Sequence, residues 1–401
     1  MRTFYASLFS IGLFHASFSQ WTPLSTGTLS NRSITSLNGD LYLVSFPNGV
    51  KKSVGGVGPW TSVNTGLPLN GSNYFVQSVG SDGAYLYAGT ESGIYRSTSG
   101  TDTWSSINGS LTANNQVYAN KFFVSGSNLL AVFTGTILQG GGIWRSSTFG
   151  NSWLIGHSGM GSNAQVNHLT QVGGTLYAST SVGIYTSTDN AQNWNVLPSV
   201  NYATYSLAAI ADRLVIVSTF GIRYSTDNGL SWMDATGEPN SATDAELVAF
   251  DGGLYALLNG VGCLRSMDNG STWAEWNTGF SEIDAEAQEE FFVQPDRLLC
   301  TALFDVYALD GTGMGLSAPL DQSDILVFPT AVDQGFTARN NGSAGTLIII
   351  DQAGRRIREV PIGANTSTWI DRDGITSGLY SLLFRTRQTS ASQPAGRLLL
   401  Q

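Results

Sequence analysis

Two sets of ionisable side chains recur at fixed places in this chain, and each could do chemistry. The first is a set of aspartates. Ser225-Thr-Asp-Asn-Gly-Leu-Ser-Trp232 returns 41 residues later as Ser266-Met-Asp-Asn-Gly-Ser-Thr-Trp273, and Ser187–Trp194 keeps Asp189 and Trp194 but has Ala191 where the others have glycine. A carboxylate can serve as acid, base or metal ligand. Asp with Gly two residues on is also turn chemistry, because the carboxylate accepts nearby backbone N–H groups and Gly supplies the positive φ of a tight turn. An Asp satisfied by its own turn is not free for catalysis. Asp189, Asp227 and Asp268 are therefore expected to be turn staples, with Gly229 and Gly270 at the turn and Trp194, Trp232 and Trp273 as apolar anchors opening the next strand.

The second set is mixed. Ser33, Lys121, His168, Ser206, Glu246 and Glu290 each stand eight residues before the first leucine of a predicted second strand. If those places coincide in space, Lys121 and His168 face Glu246 and Glu290, a combination able to bind a polar ligand or to supply an acid and a base. A mouth that is polar only because water fills it has the same composition. In the remaining repeat, the nearest residue to this place is Phe75. A further acidic run, Glu282, Asp284, Glu286, Glu289 and Glu290, suits a solvated or calcium-tolerant loop as well as carboxylate chemistry, and no spacing marks a paired-carboxylate site. His157 and His168 are the histidines beyond residue 19, and nothing has Cys–His ligand spacing. Neither a phosphate-cradling glycine loop nor a nucleophile elbow is present. No metal and no cofactor is expected.

These residues need elements to hold them. Only 12% of the 401 residues are charged, while Gly numbers 47 and Trp 10. Such a composition favours short strands and turns over helices. The tryptophans Trp60, Trp104, Trp153, Trp194, Trp232 and Trp273 fall 38 to 49 residues apart, the period of propeller blades. Each unit reads as four strands: in the fourth, Asn167–Val172, Thr175–Thr180, Gly183–Ser187 and a last strand starting at Trp194. After Trp273 comes a unit with three strands and no tryptophan, Phe291–Gln294, Leu298–Leu303 and Val306–Asp310. Trp21–Gly27 reads as an orphan fourth strand, comparable to Trp60–Gly66. Pairing the two closes a ring of seven blades and removes open edges. The first strand of each blade is then innermost, and its start, with the second set of residues, faces the central channel at the end opposite the Asp turns.

The eight-residue pattern resembles the Asp-box of bacterial neuraminidase repeats, which implies a β-propeller. A sialidase would also need three arginines converging on a carboxylate. Arg96, Arg145 and Arg265 instead occupy one repeat position before the box, Arg223 is one place off that register, and Arg213 and Arg297 sit in equivalent turns. Only Arg32 remains for the opposite face, so the triad cannot be built. Glycosidases with such repeats work between two propellers, and this chain has one.

The ends give the destination. Arg2, the apolar stretch Phe4–Phe14 and Ser17-Phe18-Ser19 read as a secretory signal over residues 1–19. No later stretch is long and apolar enough to be a spanning helix. Residues 20–314 carry 10 basic and 22 acidic side chains, which argues against nucleic acid as a partner. From 315 the repeat stops, and alternating apolar strands broken by Asp-Gly turns predict a small Ig-like β-sandwich. Four stretches there, Leu326–Thr330, Leu347–Arg356, Gly378–Phe384 and Gly396–Gln401, resemble in order the motifs of the type A C-terminal sorting domain of the Bacteroidota type IX secretion system. The first lacks that family's second proline. The resemblance implies that the secretion machinery is a partner of residues 315–401 and that the product is secreted or surface-bound.

Cys263 and Cys300 align with core positions of other repeats, so they are either small buried residues or a disulfide between adjacent units. All-β architecture is thus expected: a seven-bladed propeller closed by the N-terminal strand, then a sandwich. The function expected first is binding of a glycan or protein ligand. Its rivals are a glycoside hydrolase or lyase using Glu246 and Glu290, and, by resemblance to photosystem assembly propellers, an assembly factor for exported proteins. The long connections Leu67–Tyr74, Asn108–Asn120, Thr134–Gly142 and Thr236–Ala245, with Tyr74, Asn114, Asn115, Tyr118 and Gln139, lie on the channel-mouth face in this reading and suit sugar or peptide contacts.

Overall fold

The computed structural model describes residues 20–311 except 29, 57, 99–100, 110, 112–117, 238–243 and 286, and, of the rest, 325–400 with short gaps at 329–330, 333–334, 341–343, 351–354, 365, 376–377 and 387–392. The expected secretory signal at 1–19, together with Asn114, Asn115 and Glu286, lies outside the described residues. So do parts of the C-terminal motifs, namely 329–330, 351–354 and 401. The chain divides into two compact units, at Gly311 and Thr312.

The first unit is a seven-bladed β-propeller of four-stranded antiparallel sheets. Blades 1 to 6 run in chain order, their innermost strands being Asn31–Leu37, Val76–Ser81, Ala119–Ser125, Val166–Val172, Thr204–Ile210 and Ala245–Phe250. Blade 7 takes Gln288–Val293, Arg297–Ala302 and Val306–Asp310 from the end of the unit and borrows Thr22–Pro23 as its outer strand. Thr22 pairs with Ala308 and Pro23 with Tyr307, so the N-terminal strand closes the ring.

The burial gradient across a blade follows from its sequence. Second strands such as Asn128–Phe133 and Gly253–Leu258 are buried throughout, sandwiched between the neighbouring blades, and read as unbroken apolar runs. Outer strands such as Asn195–Val196 and Ala274–Glu275 are two residues long and exposed, which leaves little edge for other chains to pair with. In blades 3 to 6 the box tryptophan falls just before this short strand rather than in it. The box tryptophans of blades 2 to 5 lock blade to blade, whereas Trp273 donates to Gly270 O of its own turn. The indoles of Trp104, Trp153 and Trp194 donate to Val63, Ile107 and Gly156 O of the preceding blade at 2.7, 2.9 and 2.8 Å. Trp21 does the same for blade 7, donating to Trp276 O at 2.8 Å. It is fully buried, against Phe280 and Phe291. Cys263 and Cys300 are free and buried in this same core, with no disulfide between them.

The second unit is the small sandwich. A three-stranded sheet (Ile325–Phe328, Gly335–Asn340, Ser367–Asp371) and a five-stranded one (Ala331–Val332, Gln393–Leu400, Gly378–Thr386, Gly345–Ile350, Arg356–Ile362) enclose Ala338, Leu347, Ile349, Ile370, Leu382 and Phe384. No described helix is long and apolar enough to cross a membrane.

Candidate functional site

Every recurring aspartate is consumed by its own turn. Asp227 Oδ1 accepts the Ser225 hydroxyl at 2.7 Å and Ser231 N at 2.9 Å, while Oδ2 takes the Ser231 hydroxyl. Asp268 repeats this with Ser266 and Thr272, and Asp189 with Ser187 and Asn193. These bonds hold the Asp189 and Asp227 carboxyls down at about 2, chiefly through Asn193 and Ser231. In each turn the buried first serine accepts the N–H four residues on, at Ala191, Gly229 and Gly270. Asn228 and Gly229 sit at φ 58° and 86°, and Asn190 and Ala191 at 56° and 62°. Blade 3 shows why a turn that has lost Asp survives. Thr148 stands in its place, accepting Ser152 N at 3.0 Å while Ser146 still accepts Gly150 N at 2.8 Å.

The arginines near these turns do not converge. Arg96 donates to Phe149 O of the next blade at 2.6 Å, Arg213 to Ser271 Oγ at 2.5 Å, and Arg223 pairs with Asp234 at 2.6 Å. His157 is also structural. Its Nδ1 lies 2.8 Å from Ile143 O and 3.2 Å from Ile143 N, in the place where Asn64, Asn108 and Asn277 accept Val50, Ile94 and Cys263 N.

The opposite end holds the mixed set. A β-bulge interrupts the start of the innermost strand in six of the seven blades, and the residue after it is Ser33, Ser78, Lys121, His168, Ser206 or Glu290. Glu246 occupies the same register, opposite Leu257, without a bulge. The ring thus has seven members, and the second blade gives Ser78, not Phe75, which packs edge-on against Phe46. The same count reaches it: Ser78 stands eight residues before Leu86, the first leucine of its second strand, and has the same bulge before it as the other five. The signal available was the Ser-Val pair at 78–79, matching Ser-Ile at 33–34.

Four members close the ring. An innermost strand has a free edge, so some of its N–H groups must find partners outside the sheet. Ser33 Oγ accepts Val79 N at 3.2 Å, Ser206 Oγ accepts Leu247 N at 3.0 Å, Glu246 Oε2 accepts Phe291 N at 2.7 Å and Glu290 Oε2 accepts Ile34 N at 3.2 Å. Each bond runs from one blade to the residue after the ring member of the next. Serine does this work between blades 1–2 and 5–6. Both interfaces of the closing blade use a carboxylate.

Lys121 and His168 reach inward instead. Lys121 Nζ lies 3.1 Å and His168 Nε2 3.7 Å from Glu246 Oε1, with the glutamate side chain 9% exposed. With Glu290 they line a cavity of about 520 Å³. Burial opposes ionisation of Glu246, but Lys121, His168 and the Phe291 N–H outweigh it and hold the carboxyl low. Glu290 goes the other way: burial and the neighbouring Glu246 charge push it up to about 7, although Lys121 opposes them. Burial lowers His168, helped by Lys121 and opposed by Glu246. For Lys121, burial is overcome by the two glutamates and the net shift is upward.

The bulge residues add an outer polar layer. Arg32 lies over the Phe46 ring at 4.0 Å and donates to Gln77, and Asn167 donates to Thr204 O at 2.7 Å. The acidic run splits by role. Asp284 is buried and accepts Tyr307 OH, Phe304 N and Ser281 Oγ, so it pins the loop, while Glu282 and Glu289 are exposed. Of the loop residues, Gln139 accepts bonds from Thr136 in its own turn and Tyr118 OH lies 3.4 Å from Glu91.

The sequence matches no protein-family model and no curated protein. Solved structures give the fold. The chain is similar to PorZ of Porphyromonas gingivalis, described as an essential bacterial surface component of the type IX secretion system (TM-score 0.51, 14% identity), covering 94% of this chain and 59% of PorZ. It is similar to YCF48 bound to a D1 peptide (TM-score 0.55, 15% identity, 73% of this chain and 97% of that one). It is also similar to an ancestral GH74 enzyme (TM-score 0.53, 14% identity, 94% and 63%).

Proposed function

We propose that this chain is an exported or cell-surface β-propeller that binds a glycan or protein ligand at its channel mouth without turning it over. In this reading residues 315–401 are a type IX sorting domain, residues 1–19 a secretory signal, and the Ser-x-Asp-x-Gly turns Asp-boxes. One observation carries the choice of binding over hydrolysis. Both mouth carboxylates are committed, since each accepts a backbone N–H that joins two blades and Glu246 is also engaged by Lys121 and His168. A glycosidase needs one carboxyl free to protonate the leaving group and another free for water or the sugar. Likeness to a bacterial surface component supports the location, and the GH74 neighbour keeps hydrolysis as the second reading.

The test is to probe the purified chain on arrays of glycans and of short peptides while assaying the same glycans for release of reducing ends. The proposal expects saturable binding to one class with no turnover. Turnover lost in both Glu246→Gln and Glu290→Gln would overturn it in favour of a hydrolase, and blank arrays would leave the mouth without a binding role.

A further inference from the structure

The mouth contains a buried carboxylate, Glu246, a half-buried one, Glu290, and one ammonium. Lys121 bonds Glu246, and among the described residues no cation bonds Glu290, whose carboxylate takes the Ile34 N–H and the Ser33 hydroxyl at the edge of a cavity of about 520 Å³. The charges acting on Glu290 are Lys121, already bonded to Glu246, and Glu246 itself, and further acidic groups lie nearby. Asp244 acts on Lys121, Glu289 and Tyr205, while Arg32 is the cation acting on Glu289. A ligand bringing a positive group would supply the missing partner.

A second, independent feature surrounds this opening. Second strands end beside the ring members, as the pairs Thr180–Val166 and Ser218–Thr204 show, so the turns that follow belong to the mouth end. Four of these seven turns expose a large apolar side chain: Leu138 (76%), Val182, Phe220 (58%) and Phe304. Phe220 is propped edge-on against Tyr202 at 5.0 Å, which holds it outward. Apolar groups placed around a polar opening mark a protein-binding surface more than a sugar site. The Asp-turn end exposes Phe149, Leu230 and Met267 as well, but there Arg96 and Arg213 cap the neighbouring turns. Charge distinguishes the two ends.

We infer that the mouth takes a polypeptide segment, with a lysine or arginine side chain entering beside Glu290 and apolar neighbours resting on the collar of Leu138, Val182, Phe220 and Phe304. This rests on the binding role proposed above and narrows its ligand to a basic, apolar-flanked peptide.

The experiment is titration of the whole chain, followed by fluorescence anisotropy, with labelled Leu-Phe-Arg-Phe-Leu and its Leu-Phe-Glu-Phe-Leu and Leu-Phe-Ala-Phe-Leu counterparts. The arginine peptide should bind about tenfold more tightly than the alanine one, and the glutamate peptide more weakly than either. Glu290→Gln keeps an oxygen for the Ile34 N–H and should erase the arginine preference. Phe220→Ser with Phe304→Ser should weaken all three peptides alike. Equal binding of the three peptides, or an arginine preference untouched by Glu290→Gln, would overturn the inference. Saturable glycan binding with no peptide binding would also overturn it while sparing the binding role. Failure of glycans and peptides together would remove both.

Discussion

The two ends of the propeller treat their repeats in opposite ways. At the Asp-turn end six blades keep one buried serine, Ser53, Ser97, Ser146, Ser187, Ser225 and Ser266, and vary the rest within what a turn tolerates. Where Asp is lost, Thr148 makes the same kind of bond. At the mouth end the backbone position is kept and the side chain is not, giving serine in three blades and Lys121, His168, Glu246 and Glu290 in the others. A position that must solve one geometric problem converges on one residue type. A position that meets solvent and ligand is free to differ, and those differences are where binding can be written. The serines at 33 and 206 and the glutamates at 246 and 290 do both jobs, because the free edge of an innermost strand must be satisfied whatever the ligand.

Breaking the ring should give the largest effect. Removing Trp21–Gly27 deletes the outer strand of blade 7 and the indole bond to Trp276, so cooperative thermal unfolding should be lost or shifted down by more than ten degrees, while Trp21→Ala should cost about 3–5 kcal/mol in denaturant melts. Next comes the mouth. Glu246→Ala leaves Lys121 and the Phe291 N–H without their acceptor and should cost on the order of 2–3 kcal/mol at pH 7. Its carboxyl is held low in the fold, so this contribution is present above the unfolded pKa of about 4.3 and fades as the pH falls below it. Glu290 has the opposite sign. Its folded value, about 7, lies above the unfolded one, so its contribution is full below about pH 4 and is lost as the pH rises through 7. Glu290→Gln should therefore gain stability relative to wild type between pH 5 and pH 8, and urea melts at both values would check it.

The turn end should give smaller effects. Ser225→Ala removes the acceptor of a buried Gly229 N–H and should cost about 1–2 kcal/mol. Gly270→Ala places a Cβ 2.7 Å from Val215 Cγ2 at φ 86°, whereas Ala191→Gly relieves a residue at φ 62° and gives up one buried methyl. The first should lower the melting temperature by several degrees and the second should leave it within about one or two.

Much of this was legible in the sequence because a repeat is its own alignment. The period of the tryptophans gives the blades, and the three-strand remainder after Trp273 with the orphan Trp21 gives their number and the closure. Ring members were legible where a leucine marks the second strand. Ser78 was legible by the same rule, eight residues before Leu86, and Phe75 was the wrong residue for that place. The sequence did not display the double duty of Glu246 and Glu290, since a free edge N–H three-dimensionally opposite a carboxylate leaves no local pattern. His157 looked like a chemical group and is a substitute for the asparagine of Asn64-Thr-Gly66 and Asn277-Thr-Gly279, a match visible only once strand four is placed.

The most direct test of the mouth as the binding surface uses the same glycan and peptide arrays on three proteins: wild type, Lys121→Met combined with Glu290→Gln, and Arg96→Ser at the opposite end. The account predicts signals on wild type that survive Arg96→Ser and disappear in the mouth variant, with all three still melting cooperatively. Signals that persist in the mouth variant, or vanish in Arg96→Ser, would place binding elsewhere and contradict it.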